Sequence, residues 1–312
     1  MSMNRFMKYI LLAGACFFSA QTTFAQEENE SNPFRLSVGA GFENDSKLTV
    51  DSIDSTSDVG DTAFVFDASA GYDFLDTDTV GFNVGYDFYQ SLHNELDQFD
   101  MAIHGFNVAG RYTLDRFDLG TTYMFNTIRL GGDPFMDMHM IRPNVGYLLN
   151  NNLVYLIGAY EYQKQSFKSD TLIGRDATRH SFSGKSIFLL GEGRTITAGY
   201  EWTDHNTIDP GFTYNGHRLD FSVKLPFELV DREATFRTGY RFLSKDFLDA
   251  SQSYNNGLTR EDRRHSVSAS LEVPIVNNFY GKAEIEYIRS NSNFEVVDFG
   301  ETVTTISVGW EF

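Results

Sequence analysis

Two histidine–serine neighbours, His180-Ser181 and His265-Ser266, come nearest to a nucleophile and its base in this 312-residue chain. Both lie in segments that read as extended strands. Successive side chains of a strand point to opposite faces, so neither pair makes a hydrogen-bonded dyad. His93, close to Glu95 and Asp97, falls in an expected loop. No Walker-type loop, dinucleotide fingerprint or H-E-x-x-H motif occurs. The single cysteine, Cys16, sits in an apolar leader, which leaves no thiolate for catalysis or metal binding. The segment from Glu43 to Asp61 carries Asp45, Asp51, Asp54 and Asp58 and offers carboxylates to a divalent cation. Its spacing matches no EF-hand, so a flexible, solvated loop is expected there. The basic stretch Arg260–His265 is expected to meet lipopolysaccharide phosphates or acidic neighbouring loops. The reading is a protein with no chemical step, no cofactor and no metal centre.

The remaining charged side chains follow a period of two. "FRLSVGAGFE" sets Phe34, Leu36, Val38 and Phe42 against Arg35, Ser37, Gly39 and Glu43. "TAFVFDASAGYDF" and "VGFNVGYDF" do the same with Asp67, Asp73 and Asp87 on the polar side. Alternation of this kind marks strands with one apolar and one polar face. Fourteen such segments can be counted, ending on "TTISVGWEF". "LVYLIGAYEY" and "HSFSGKSIFLL" are apolar on nearly both sides, so their register is open. Short connections at Leu75–Thr79, Leu114–Arg116, Leu149–Asn152, Gly191–Arg194, Pro226–Arg232 and Pro274–Asn278 alternate with longer ones. Those longer ones include Asn44–Asp61, Gln165–Arg179 and Arg129–Asp137. An even number of strands of about 9–11 residues, joined alternately by short turns and long loops, describes an all-β, transmembrane, antiparallel up-and-down barrel.

The termini and composition agree with that reading. Arg5 and Lys8, an apolar run to about Ala20 and "TFA" before Gln26 have the layout of a secretory signal peptide. The expected organisation is a signal peptide over 1–25, a short periplasmic segment over 26–33 and a barrel over 34–312. The formal charge of −18 argues against a nucleic-acid partner. With 29 Phe and 16 Tyr, the chain has many aromatic residues for an apolar wall and for interfacial girdles. A soluble sandwich would bury that wall, whereas a barrel in hydrocarbon turns it to lipid and gives the polar face to water. The candidates for lining the lumen are then Arg35, Asp67, Asp73, Asp87, Arg111, Asp118, Arg142, Glu201, Arg218, Asp220, Lys224, Arg237, Arg241, Glu272, Lys282, Glu284 and Glu286, with Glu161 and Glu311 on the same face. Mixed signs on adjacent strands brace the wall and orient polar solutes in transit.

Trp310 and Phe312 close the chain. This ending resembles the assembly signal of bacterial outer-membrane proteins, in which a terminal aromatic and a second aromatic two residues earlier are read by the barrel-assembly machinery. Ser307 stands where that signal usually has glycine, and Gly309 follows two residues later. "REDRRHSVSASLEVPI" with "EYIRSNSNFEVVDFGETVTTISVGWEF" resembles the last strands of surface-lipoprotein assembly modifiers and of porin-like barrels encoded with exopolysaccharide secretion. The resemblance implies an outer-membrane location among lipids and lipopolysaccharide. The function expected is passage of small hydrophilic or saccharide solutes. The alternative is a part in polysaccharide or protein export, or a structural or adhesive barrel.

Overall fold

The computed structural model describes residues 32–149, 152–249 and 258–312. The expected signal peptide and most of the 26–33 segment lie outside the described residues. The strands are β1 (Phe34–Asp45), β2 (Thr49–Val50), β3 (Ser55–Thr56), β4 (Asp61–Asp76), β5 (Val80–His93), β6 (Met101–Leu114), β7 (Phe117–Leu130) and β8 (Asp133–Leu148). They continue with β9 (Val154–Phe167), β10 (Ala177–Leu189), β11 (Thr195–Thr207), β12 (Tyr214–Leu229), β13 (Arg232–Phe247), β14 (Glu261–Val276), β15 (Phe279–Ser292) and β16 (Phe299–Glu311). Fourteen of them pair in sequence order into a closed antiparallel barrel, while β2 and β3 form a separate small hairpin inside the first long loop.

The sides are inverted relative to a soluble protein. Along β1, Phe34, Leu36, Val38 and Phe42 are exposed while Glu43 and Asp45 are buried. Leu119, Tyr123, Phe221, Val267, Ile285, Ile306 and Val308 continue this exposed apolar surface around the wall. Hydrocarbon is the one solvent in which such an exterior is favourable, and closure leaves no strand edge unpaired there.

Three expectations about the connections are corrected. The strands run 12–16 residues, longer than the apolar alternation alone marks. Their ends continue as hairpins beyond the apolar band, where many outward positions turn polar and on β5–β9 the inward ones turn apolar, so the period-two signal breaks down. The Arg129–Asp137 loop is instead a tight turn at Gly131-Gly132, both with positive φ, the backbone that glycine adopts without strain. Pro226 and Pro274 lie inside β12 and β14 rather than in turns, and Pro274 sits where the register with β15 shifts.

The last strand closes the barrel on the first. Phe312 N–H donates to the Leu36 carbonyl at 2.8 Å, and Leu36 N–H donates back at 3.3 Å. Trp310, opposite Val38 in register, stacks on Phe312 with ring centroids 5.9 Å apart. Gly309 has its own steric reason. It lies directly across from Tyr280 on β15, and a Cβ there would stand 2.2 Å from the tyrosine ring. The ring lies over the bare backbone of its neighbour. Gly309→Val should therefore cost about 1–3 kcal/mol through overpacking. The loss should appear as a smaller heat-modifiable, folded fraction on gels. Tyr280→Ala should restore most of it, because the added side chain then has space.

Candidate functional site

The inner face is not uniform along the barrel axis. In the half bearing the short turns it is open and ion-paired. Arg35 pairs with Asp73 at 2.9 Å, Arg111 with Asp76 at 3.2 Å and Lys282 with Glu284 at 3.2 Å. Arg237 reaches Glu272 at 3.5 Å and stands opposite Lys224 in register. Asp118 accepts hydrogen bonds from Thr113 at 2.8 Å and from the Tyr155 hydroxyl at 2.7 Å. The Asp67 carboxylate lies over Gly39, where a Cβ would come within 2.5 Å of it. Arg142 is half-buried on β8.

Toward the long loops the inner face becomes closely packed, and it divides into two walls. The first runs over β9–β13 and is charged. Glu161 pairs with Arg179, both almost fully buried. Glu201 accepts from Arg218 at 3.0 Å, and Asp220 bridges Arg218 at 2.8 Å and Arg241 at 2.7 Å. Carboxylate and guanidinium thus alternate across adjacent strands. Buried pairs of this kind are costly to break, because removing one partner strands the other's charge. Asp87, which accepts from Asn107 at 3.0 Å, and Glu286 are also buried. The second wall, over β5–β9, is apolar. Tyr89, Ile103, Met124, Met136, Met138 and Met140 form one buried cluster there.

The first long loop fills the space between these walls. Its residue Val50 packs into the apolar cluster, with Ile53 against it. Asp54, at the tip, accepts from Arg175 at 2.9 Å and from Arg260 at 2.8 Å. Arg175 belongs to the β9–β10 connection, on the opposite side of the barrel mouth from β1. Asp51 is held by Arg264 of β14, one of the two bonds measuring 3.0 Å. Arg175 also donates to the Ser52 carbonyl at 3.0 Å and lies over the Phe212 ring at 3.8 Å. The loop crosses the mouth as a strap tied at several points. The acidic segment is therefore not freely solvated, which corrects the expectation of a flexible loop. Among the described residues no group of three or more His, Cys, Asp or Glu is placed to hold a metal ion. In the Arg260–His265 stretch, Arg260 and Arg264 bind this strap, while Arg263 pairs with Asp246 at 2.7 Å.

Burial by itself would raise the Asp54 carboxyl, but hydrogen bonds and charge from Arg260 and Arg175 hold it below its ordinary range. Burial would likewise lower Arg260, and Asp262 and Asp54 hold it up.

The histidine–serine neighbours are separated as expected of a strand: His180 Nδ1 bonds the Tyr160 hydroxyl at 2.7 Å, while Ser181 bonds Thr203 at 3.0 Å. His93 ends β5 and bonds Asp100 at 3.1 Å. Of the sequence candidates, Glu201, Arg218, Asp220 and Arg241 come together in one network, and Trp310 and Phe312 meet at the seam. The others are distributed along the barrel. Arg179, Arg175 and the methionine wall were not among the candidates. Arg179 stands at the edge of the segment whose register the apolar pattern left open.

A closed, even-stranded antiparallel barrel with an apolar exterior and a charged interior is an outer-membrane β-barrel. The chain belongs to the surface lipoprotein assembly modifier family, whose model matches residues 23–312. Among solved structures it is similar to CdiB from Acinetobacter baumannii, with a TM-score of 0.51 at 10% identity over 90% of this chain. It spans only 60% of that protein's length. It is similar also to the trimer form of OmpT, an outer membrane protein of Vibrio cholerae, with a TM-score of 0.51 at 9% identity over 90% of this chain and 100% of the other. At such identities the likeness concerns the fold. No curated protein matches the chain.

The strap's dependence on pH follows from Asp54. Its carboxyl is depressed on docking, so its contribution is complete above the ordinary value of 3.8 and is lost as pH falls through the docked value below that. The Asp54 tie to Arg175 and Arg260 should hold from neutral pH to about pH 4 and weaken in stronger acid. Spin labels at Ser55→Cys and Thr171→Cys should report one narrow distance distribution at pH 7 that broadens progressively as pH is lowered below 3.8.

Proposed function

We propose that this protein is a gated conduit through the outer membrane, closed at its outer mouth by the first long loop. One observation carries the reading. An acidic strap crosses the mouth and is tied by Asp51 and Asp54 to three arginines from two parts of the rim, the β9–β10 connection and the start of β14. Behind it, toward the short-turn end, the inner face carries ion pairs with exposed arginines. These pairs are largely shielded from water, so the closure holds until their charges are neutralised or a ligand competes for the arginines. Once the strap lifts, solutes meet a lumen with an arginine–carboxylate wall beside an apolar one. Small hydrophilic or saccharide solutes suit the charged wall, which orients dipoles across the path.

Family membership favours a second reading, in which the cargo is part of a lipoprotein bound for the cell surface. The methionine-lined wall supports it, since methionine adapts its shape to varied apolar partners.

Planar-bilayer recording tests the conduit. The native protein should show rare, brief openings. Asp51→Asn with Asp54→Asn should give steady ohmic steps, with at least about a tenfold rise in open time if only ~1.4 kcal/mol of latch energy is lost. Silence from both proteins would contradict the conduit. If the conduit holds, loss of surface-displayed lipoprotein in cells lacking the chain, with unchanged sugar uptake, would select the second cargo over the first.

A further inference from the structure

The lipid-facing surface carries a repeated polar pair that the lumen reading does not use. The tyrosine hydroxyl and histidine Nδ1 are bonded in Tyr86–His104 (2.7 Å), Tyr123–His139 (2.9 Å), Tyr160–His180 (2.7 Å), Tyr200–His217 (2.8 Å) and Tyr240–His265 (2.8 Å). The tyrosines lie on β5, β7, β9, β11 and β13, and each histidine is on the following strand. Every histidine also faces an aromatic residue in register, namely Phe88, Phe125, Tyr162, Trp202 or Phe242. The pairs thus form a belt around ten consecutive strands of the barrel.

The belt's depth is defined by its neighbours. On the short-turn side of His104 the outward residues are Phe106, Val108 and Tyr112, all exposed. On the long-loop side of the belt the outward positions become polar, among them Gln90, Thr127, Lys164 and Asn206. The belt therefore marks the plane where hydrocarbon gives way to head groups. The tyrosine occupies one imidazole nitrogen. Among the described residues, Nε2 of each of the five rings has no protein partner. In the tautomer where the tyrosine hydroxyl donates to Nδ1, Nε2 carries the ring proton and is a hydrogen-bond donor. A donor held at this depth is matched by an acceptor supplied by the lipid.

Charge selects the acceptor. On β8–β10 the exposed Lys164 stands directly opposite His139 in register. Two residues before it on the same strand, Tyr162 stands opposite His180. One ammonium and two imidazoles thus gather on three adjacent strands, and the nearby Asp137 is already paired with Lys168. Phosphate oxygens are strong acceptors for such donors and complement their charge. We propose that this face, centred on His139, Lys164 and His180, binds the phosphate of a phosphorylated outer-leaflet lipid.

Native mass spectrometry of the full-length barrel in detergent, titrated with bisphosphorylated lipid A and with its dephosphorylated form, tests the site. Lys164→Gln with His139→Phe and His180→Phe should weaken binding of the phosphorylated lipid about tenfold or more. Binding of the dephosphorylated lipid should be weaker and the same for both proteins. Unchanged affinity of the variant, or equal affinity of the native barrel for both lipids, would overturn the proposal. Should the triple variant fail to fold, Lys164→Gln alone disturbs no tyrosine–histidine pair. It should still lose affinity several-fold, and an unchanged value would overturn the proposal. The readout is lipid binding, so it stands apart from conductance and from the cargo.

Discussion

A backbone N–H or carbonyl left unpaired in hydrocarbon costs several kcal/mol, roughly the whole stability margin of a domain when a few are exposed together. That constraint organises this molecule. It requires every strand to find two neighbours, and so requires β1 to meet β16. Once the sheet closes, its faces see different solvents, and the two-residue period of the sequence sorts side chains between them. The exposed phenylalanines and leucines that would condemn a soluble protein become the favourable surface. Close approach between β15 and β16 explains why glycine stands at 309, where the Tyr280 ring lies across it.

Closure creates an interior, and the interior has to be filled or hydrated. The outer half is filled by its own side chains and by the first loop. The inner half keeps its charged residues accessible. An apolar wall and the arginines of the rim give the strap two different anchors, packing for Val50 and ion pairs for Asp51 and Asp54. The packing anchor is insensitive to salt and pH, whereas the ionic one responds to both. In the conduit we propose, such a strap would open when its charges are neutralised or when a ligand competes for its arginines.

Much of this architecture was legible from residue order. Alternation between Phe82, Val84 and Phe88 on one side and Asn83, Gly85 and Asp87 on the other defines a strand and both of its faces without reference to anything distant. The count of fourteen strands followed from repeating that observation, and the terminal aromatics located the seam. What was not legible depended on contacts between remote segments. Nothing near Asp54 in the chain announces that Arg175 and Arg260 lie around it, since those partners are 121 and 206 residues away. An acidic loop therefore read as solvated. The Gly131-Gly132 turn was read as part of a long loop because Asp133, Pro134 and Asp137 dilute the alternation beside it. The tyrosine–histidine belt left a readable trace. Tyrosines at 86, 123, 160, 200 and 240 are each followed two residues later by an aromatic, and each has a histidine on the next strand. Its meaning required the register, which places the two rings diagonally across a strand pair.

Pairing of the first barrel strand with the last is the claim on which the rest stands, and a covalent test reaches it directly. Ser37 and Glu311 are opposite each other across the β1–β16 seam. Cysteines placed at both positions in the membrane-embedded protein should form an intramolecular disulfide almost quantitatively under mild oxidation, giving a cyclic chain that migrates faster on a denaturing gel. A chain that stays linear while remaining folded in the membrane would contradict the closed barrel.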